Sequence, residues 1–238
     1  MTHIQAIQTL IDENKRYVQK YGVTRRSVER DELINALLDY VHGTEHRLSE
    51  LDTERLRFPY LTRQFSFYDA PIQNLVPYGN ITLRILYDAV RNDAYKERTE
   101  ALRAITDEKE ARAFKAANFD YVTFSGTFTK RDGKCLVQHS DMLVIDFDHV
   151  SDIPELKTRL LADEYFVTLF MFRSPSGDGL KWIIPIDTVQ YPHDVWFKSI
   201  AQYITHTYGI KPDSSGSDIA RACFLAYDAE CYINPILL

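Results

Sequence analysis

The sequence predicts an α+β protein, with a mixed, mainly antiparallel sheet flanked by helices and a helical appendage at the N-terminal end. Three observations point to it. Apolar residues recur at helical spacing through much of residues 1–62, whereas short alternating or wholly apolar runs separated by turn residues fill residues 63–238. In that second region strands and helices mix without a strict βα repeat, which disfavours a parallel, doubly wound sheet. A length of 238 residues, 45% of them apolar, provides for a real core and excludes general disorder.

The elements follow in order. Ile4, Ile7, Leu10, Ile11, Tyr17, Val18 and Tyr21 define a helix over 3–21, with Gly22 as its stop. Leu33, Ile34, Leu37, Leu38 and Val41 form the stripe of a second, over 31–42, and the charged stretch to Thr62 completes the appendage. FSFYDAPIQNLVP, with two prolines, reads as an edge strand and loop, and Thr82 reads as the cap of the helix LRILYDAVRND. A helix fits 99–117. YVTFSGTFTK and CLVQHS flank an Asp132-Gly133 turn, a hairpin signal, and the apolar run MLVIDFDHV follows. Residues 153–162 read as a helix, FVTLFMF and LKWIIPI as paired strands, 194–207 as a helix with Val195, Ile200 and Ile204 inward, and CFLAY as a last short strand.

Composition narrows the function classes. No run reaches the ~20 apolar residues of a membrane-spanning helix, and the charged start does not read as a signal peptide, so a cytoplasmic protein is expected. Cys135, Cys223 and Cys231 are too few for a disulfide framework or a four-ligand zinc site, which leaves buried free thiols. A net charge of −6 opposes a surface that grips nucleic acid everywhere, since phosphate binding rests on Lys and Arg. Local basic clusters remain, in KRDGK (Lys130, Arg131, Lys134) and RLRFPYLTR (Arg55, Arg57, Arg63); each alone also fits a solvated turn or helix face.

Three segments carry chemistry. In LVIDFDHV an interior-type strand runs into Asp146 and Asp148, whose side chains share one face, with Cα atoms about 6.5 Å apart, while Phe147 packs behind. Two carboxylates ending an apolar strand call for a cation, and oxygen-only ligands suit Mg²⁺ or Mn²⁺. A pair of such ions about 3.5–4 Å apart serves in-line attack on a phosphate. The same residues also fit a strand that simply ends in solvent. In RSPSGDGLKWIIPI the small residues Ser174, Pro175, Ser176, Gly177 and Gly179 form a turn able to lay N–H groups and hydroxyls on phosphate, with Arg173 and Lys181 adding charge; a plain hairpin is the rival reading. In DSSGSDIARACFLAYDAECYINP, Asp213 supplies a further acid and Arg221 a guanidinium, although Asp213 and Asp218 also fit ordinary turn roles.

Taken together, FSGTF (Phe124 to Phe128), LVIDFDHV, SPSGDGLK and the late DSSGSDIAR segment closed by Tyr-Asp and Asn-Pro resemble the archaeo-eukaryotic primase superfamily. The likeness is to its primase-like N-terminal domain family, found ahead of VirE-type and helicase-like regions in mobile elements. It covers roughly 65–238 and implies a primase-polymerase-like catalytic domain over 63–238. It implies Asp146, Asp148 and Asp213 as catalytic, metal-binding acids of a two-metal Mg²⁺ or Mn²⁺ site. It implies nucleotide binding by Arg173, Ser174, Ser176, Gly177, Lys181 and Arg221. The implied partners are an NTP or dNTP, a single-stranded or primed DNA template and a helicase-like region, with no membrane. Lys181 stands where such enzymes generally carry a His; a lysine still holds a triphosphate as a point charge but lacks imidazole geometry. His139 and His149 flank the acid strand without filling that position.

Three functions compete: a primase-type nucleotidyltransferase, a catalytically silent nucleotide- or nucleic-acid-binding module recruiting a helicase, and a metal-dependent nuclease. On the first, the three acids converge and repel, which raises their pKa values. On that view Asp146→Ala leaves the metal-free protein at least as stable as before.

Overall fold

The computed structural model describes Asp12, Glu13, Arg16 and residues 60–238. Nearly all of the expected appendage, with its helices at 3–21 and 31–42, lies outside the described residues. Within them the fold is α+β and every strand pair is antiparallel. β1 (Phe65–Tyr68), β2 (Gly79–Ile81), β3 (Tyr121–Thr123) and β9 (Cys223–Phe224) form one four-stranded sheet in the order β2-β1-β3-β9. β6 (Met142–Phe147), β7 (Phe170–Arg173), β8 (Leu180–Pro185) and β10 (Tyr232–Ile233) form a second, in the order β10-β7-β8-β6. β4 (Gly126–Phe128) and β5 (Leu136–His139) make a separate ribbon. The strands thus divide between two sheets and a ribbon rather than building one sheet.

The helices are α1 (Leu83–Arg91), α2 (Lys96–Ala104), α3 (Glu108–Asn118), α4 (Ile153–Leu161) and α5 (His193–Tyr208). Several local expectations change. β1 is an interior strand, since the prolines fall in the loop after it and leave both its edges free to pair. Thr82 precedes α1 but its hydroxyl makes no capping bond. The single helix expected over 99–117 is two, because Asp107 leaves helical geometry and caps α3 by accepting the Glu110 N–H. In α5 it is Trp196, beside Ile200 and Ile204, that is buried, while Val195 stays half-exposed. Only the second half of FVTLFMF pairs as β7, and only the first two residues of CFLAY as β9. Cys223 and Cys231 are buried free thiols, and Cys135 is partly exposed.

The alternation of the second sheet explains the layers. Leu143, Ile145 and Phe147 of β6 face the same way as Leu180, Trp182 and Ile184 of β8, and pack with Leu156 and Leu160 of α4 and Trp196, Ile200 and Ile204 of α5. On the opposite face Met142, Val144, Ile183, Phe170 and Phe172 meet α1 and the first sheet through Leu86, Phe65, Val122 and Cys223. Asp146 and Lys181 continue this second row, one step beyond Val144 and Ile183. The apolar layer between the two sheets therefore ends in a carboxylate and an ammonium.

The other end of β6 is also polar. Asp141, with φ 55°, precedes the strand, pairs with Arg63 at 2.6 Å, accepts from the Thr188 hydroxyl, and accepts at its carbonyl from Ile186 N–H at 2.9 Å and Tyr60 O–H at 3.2 Å. Its N–H donates to His139 Nδ1 at 2.9 Å. Burial pushes the Asp141 carboxyl up, but the neighbouring His139 ring, the Thr188 hydroxyl and the Arg63 charge outweigh it and hold the group below the usual range.

Candidate active site

β6 and β8 place Asp146 directly opposite Lys181, on the same face, so the register alone joins them. The Lys181 ammonium donates to Asp146 Oδ2, with the lysine side chain 7% and the aspartate 20% exposed. Burial disfavours charge on Lys181, and neighbouring Cys223, Asp146 and Asp148 outweigh it, so the ammonium is held above the ordinary lysine range. Because burial pushes the Cys223 thiol up to about 12, it is the carboxylates that stabilise this charge near neutral pH. Asp146 Oδ1 is buried and has no hydrogen-bond partner among the described residues. That is a costly position for a carboxylate oxygen and a natural one for a cation ligand.

Around the pair lies a cleft of about 310 Å³, within the range of small-molecule sites. Ile72, Pro175, Ala222 and Phe224 give it an apolar side; Lys115, Arg131, Lys181 and Arg221 face three carboxylates, Asp146, Asp148 and Asp218. Against a chain of net charge −6, this lining carries four cations to three acids, which suits an anionic ligand. Asp148 lies just past β6 and is exposed. Desolvation by its surroundings, then the charge of Asp146, push its carboxyl above the usual range, against the opposing pull of Lys181.

The SPSG turn closes one wall. Ser174 N–H donates to Gly179 C=O at 2.9 Å and Gly179 N–H returns to Ser174 Oγ at 3.0 Å. A Cβ on Gly179 would lie 2.5 Å from the Phe147 carbonyl oxygen, so only glycine lets the turn approach the end of β6. Gly177 has φ +87°, the left-handed region. Arg103 of α2 clamps the turn from outside, donating to the Pro175 carbonyl at 3.2 Å and the Ser174 carbonyl at 3.2 Å.

The late segment docks by its backbone: Asp213 N–H donates to the Asp146 carbonyl at 3.0 Å, the step that brings this distant stretch to the acid strand. A family model described as the BT4734-like N-terminal domain matches residues 114–233, half of the chain, and takes in the first two segments and the third up to Ile233. The chain belongs to the BT4734-like N-terminal domain family. No curated protein and no solved structure matches it.

Within this BT4734-like region the residues singled out from sequence fare differently. Asp146, Asp148, Ser174, Ser176, Lys181 and Arg221 all line the cleft. Asp213 does not: its carboxylate accepts from Ser215 N–H at 3.1 Å, from the Ser215 hydroxyl, and from Arg221 Nη2 at 2.9 Å. Its pKa moves opposite to the expected rise. Burial pushes it up, but the Ser215 bonds and the Arg221 charge outweigh that and hold it low. Arg173 and Gly177 also fall outside the lining. The Arg173 guanidinium braces the turn by donating to the Gly177 carbonyl at 2.5 Å. The Ser174 hydroxyl is engaged inside the turn, while Ser176 is exposed.

Lys115 and Arg131 are cationic walls that sequence reasoning missed or left undecided. Lys115 was one basic residue among several in a charged helix, with no local signal. Its neighbourhood betrays it: burial, then the Lys181 charge, lower its ammonium, and Asp146 and Asp148 oppose them. His149 is exposed and contacts Asp178 at 2.7 Å; His139 meets His193 at 3.2 Å. Neither is among the residues lining the cleft.

Among the described residues no group of three His, Cys, Asp or Glu side chains is arranged to hold a metal. The donors present still fit one hard cation, through the unpartnered Asp146 Oδ1 and the nearby Asp148, because such ions are often held by one or two carboxylates plus phosphate oxygens and water. The ion pair also corrects one expectation. Asp146→Ala would strand the buried Lys181 ammonium, so that variant is destabilised rather than neutral.

Proposed function

We propose that the chain is a primase-polymerase-type nucleotidyltransferase, in which a 3′-hydroxyl attacks the α-phosphate of an NTP or dNTP and pyrophosphate leaves. The observation that carries this reading is the buried, unpartnered Asp146 Oδ1 in a cleft otherwise dominated by cations. Asp146 and Asp148 would hold Mg²⁺ or Mn²⁺, which supplies Lewis-acid polarisation of the phosphate and a lower pKa for the attacking hydroxyl. Arg221 and Lys115 reach the same space and offset charge growing on the phosphoryl oxygens. Ser176 and the turn's backbone orient the triphosphate, and Lys181 holds the Asp146 carboxylate in place. Ile72 and Phe224 offer apolar surface to the nucleobase. A DNA template, a helicase-like partner and a cytoplasmic setting complete the proposal; no helix among the described residues is long and apolar enough to cross a membrane.

A second reading, the silent binding module, is favoured by one feature. Asp146 and Asp213 both have an internal cation, Lys181 and Arg221, so part of the charge a metal site needs is already neutralised. Primer-extension and de novo synthesis assays with Mg²⁺ and Mn²⁺ decide between them. Asp148→Asn is the control, because Asp148 is exposed and forms no ion pair among the described residues whose loss would unfold the chain. The nucleotidyltransferase reading expects wild-type incorporation and at least a ~10²-fold loss in the variant, on the scale of removing one preorganised charge-stabilising group. Nucleotide binding without incorporation on any template establishes the silent module.

A further inference from the structure

The loop between β1 and β2 presents two large side chains to solvent, Tyr78 at 79% and Val76 at 68% exposure. It is nonetheless held in place. Tyr78 N–H donates to Phe67 C=O at 2.9 Å, Asn74 N–H donates to Pro71 C=O at 2.9 Å, and the Tyr121 hydroxyl donates to Asn74 C=O. Phe67 supports the Tyr78 ring edge-on, with centroids 6.4 Å apart. An aromatic ring fixed from behind and open in front is a stacking platform in want of a flat partner.

The basic turn of the β4–β5 ribbon is fastened to this loop. Arg131 N–H donates to Leu75 C=O at 2.7 Å, and its guanidinium reaches Ile72 C=O at 3.4 Å while lying 5.1 Å from the centre of the Tyr121 ring. Lys130 and Lys134, on either side of it, are exposed. Asp132, in the same turn, accepts the Lys134 N–H at 2.9 Å and stays exposed, and Asp69 faces the hollow that Val76 and Tyr78 line, so the three cations outnumber the two acids beside the platform. Ile72 and Arg131 belong to the lining of the cleft as well, so loop and turn form its lip.

We propose that this lip binds single-stranded nucleic acid, with Tyr78 stacking on a base, Lys130 and Lys134 meeting phosphates, and Arg131 leading the strand into the cleft. Alternating aromatic and cationic contacts are what an unpaired strand offers bases and phosphates to; a duplex hides its base faces. The identity of the strand as a template rests on the proposed nucleotidyl transfer, but the binding does not.

The test is fluorescence anisotropy of a labelled oligothymidylate of about 12 nucleotides with the full 238-residue chain, in EDTA and without nucleotide. Tyr78→Ala is expected to weaken binding about tenfold and Tyr78→Trp to restore it, as stacking requires. Lys130→Ala with Lys134→Ala is expected to flatten the salt dependence by about 1.4 in log–log slope, for two lost phosphate contacts. Neither variant should change the melting-temperature gain from Mn²⁺ and triphosphate. Wild-type affinity in Tyr78→Ala, or equal affinity for a duplex with the same Tyr78 dependence, overturns the proposal. Tyr78-dependent binding without incorporation leaves it standing and removes the nucleotidyl-transfer reading instead.

Discussion

The two ends of β6 carry similar residues and opposite chemistry. At its start Asp141 is surrounded by Arg63, Thr188, His139, Tyr60 and the Ile186 N–H, and its carboxyl is held low. At its finish Asp146 has one oxygen on Lys181 and the other without a partner among the described residues, and the Asp148 carboxyl is pushed up. Folding completes the first cluster with the chain's own groups. The second is left incomplete and opens on a cationic cleft. A carboxylate is a structural brace where its lone pairs are filled from within, and a ligand-binding group where they are not.

The strongest way to break the contrast is to attack the Asp146–Lys181 pair. Asp146→Ala is expected to cost about 3 kcal/mol in metal-free urea melts, since it leaves a buried ammonium alone. Replacing both, as Asp146→Leu with Lys181→Met, should recover most of that loss, with stability within about 1 kcal/mol of wild type. Failure of the double variant to recover shows that the pair is integral to packing rather than a charge held for function. At the other end, Asp141→Ala should lose about 2 kcal/mol by stripping Arg63 and Thr188 of their partner, yet leave nucleotide affinity unchanged in titration calorimetry.

The smaller effects concern Asp148 and pH. Asp148→Asn should stabilise the metal-free protein by no more than about 0.5 kcal/mol after solvent screening, and should remove most of the melting-temperature gain produced by Mn²⁺. The signs with pH are opposite at the two ends. Because the Asp141 carboxyl is depressed, its stabilisation is present above the unfolded aspartate pKa of about 3.9 and is lost as pH falls through the folded value below it. Because the Asp148 carboxyl is raised, its penalty is present near neutral pH and is relieved as pH falls through the folded value toward about 3.9. Melts of Asp141→Asn and Asp148→Asn against wild type over that window check both; curves that run parallel remove the distinction.

Part of this contrast was legible in the residues themselves. An apolar run ending in Asp-x-Asp, a Ser-Pro-Ser-Gly turn before a strand with a lysine, and a late Asp and Arg are local patterns, and period-two alternation was enough to place Asp146 and Asp148 beside one another with Phe147 in the core. The turn, with strands on both sides joining the sheet of β6, follows from the same periodicity. Local patterns failed where neighbours in space replaced neighbours in sequence. Lys115 entered the cleft from a helix with no feature to mark it, Arg173 was drawn to Gly177, and Asp213 was satisfied by Ser215 and Arg221.

The sequence by itself determined the α+β class with a mainly antiparallel pattern, the acid pair and the turn, because each depends on spacing along one or two strands. Only the tertiary structure decided which lone pairs are filled. The β6–β8 register set Lys181 on Asp146, and the docking of Asp213 N–H on the Asp146 carbonyl brought Arg221 to the cleft. The physical reason is that a hydrogen bond or ion pair depends on distances of about 3 Å across elements far apart in the chain, which no periodicity encodes.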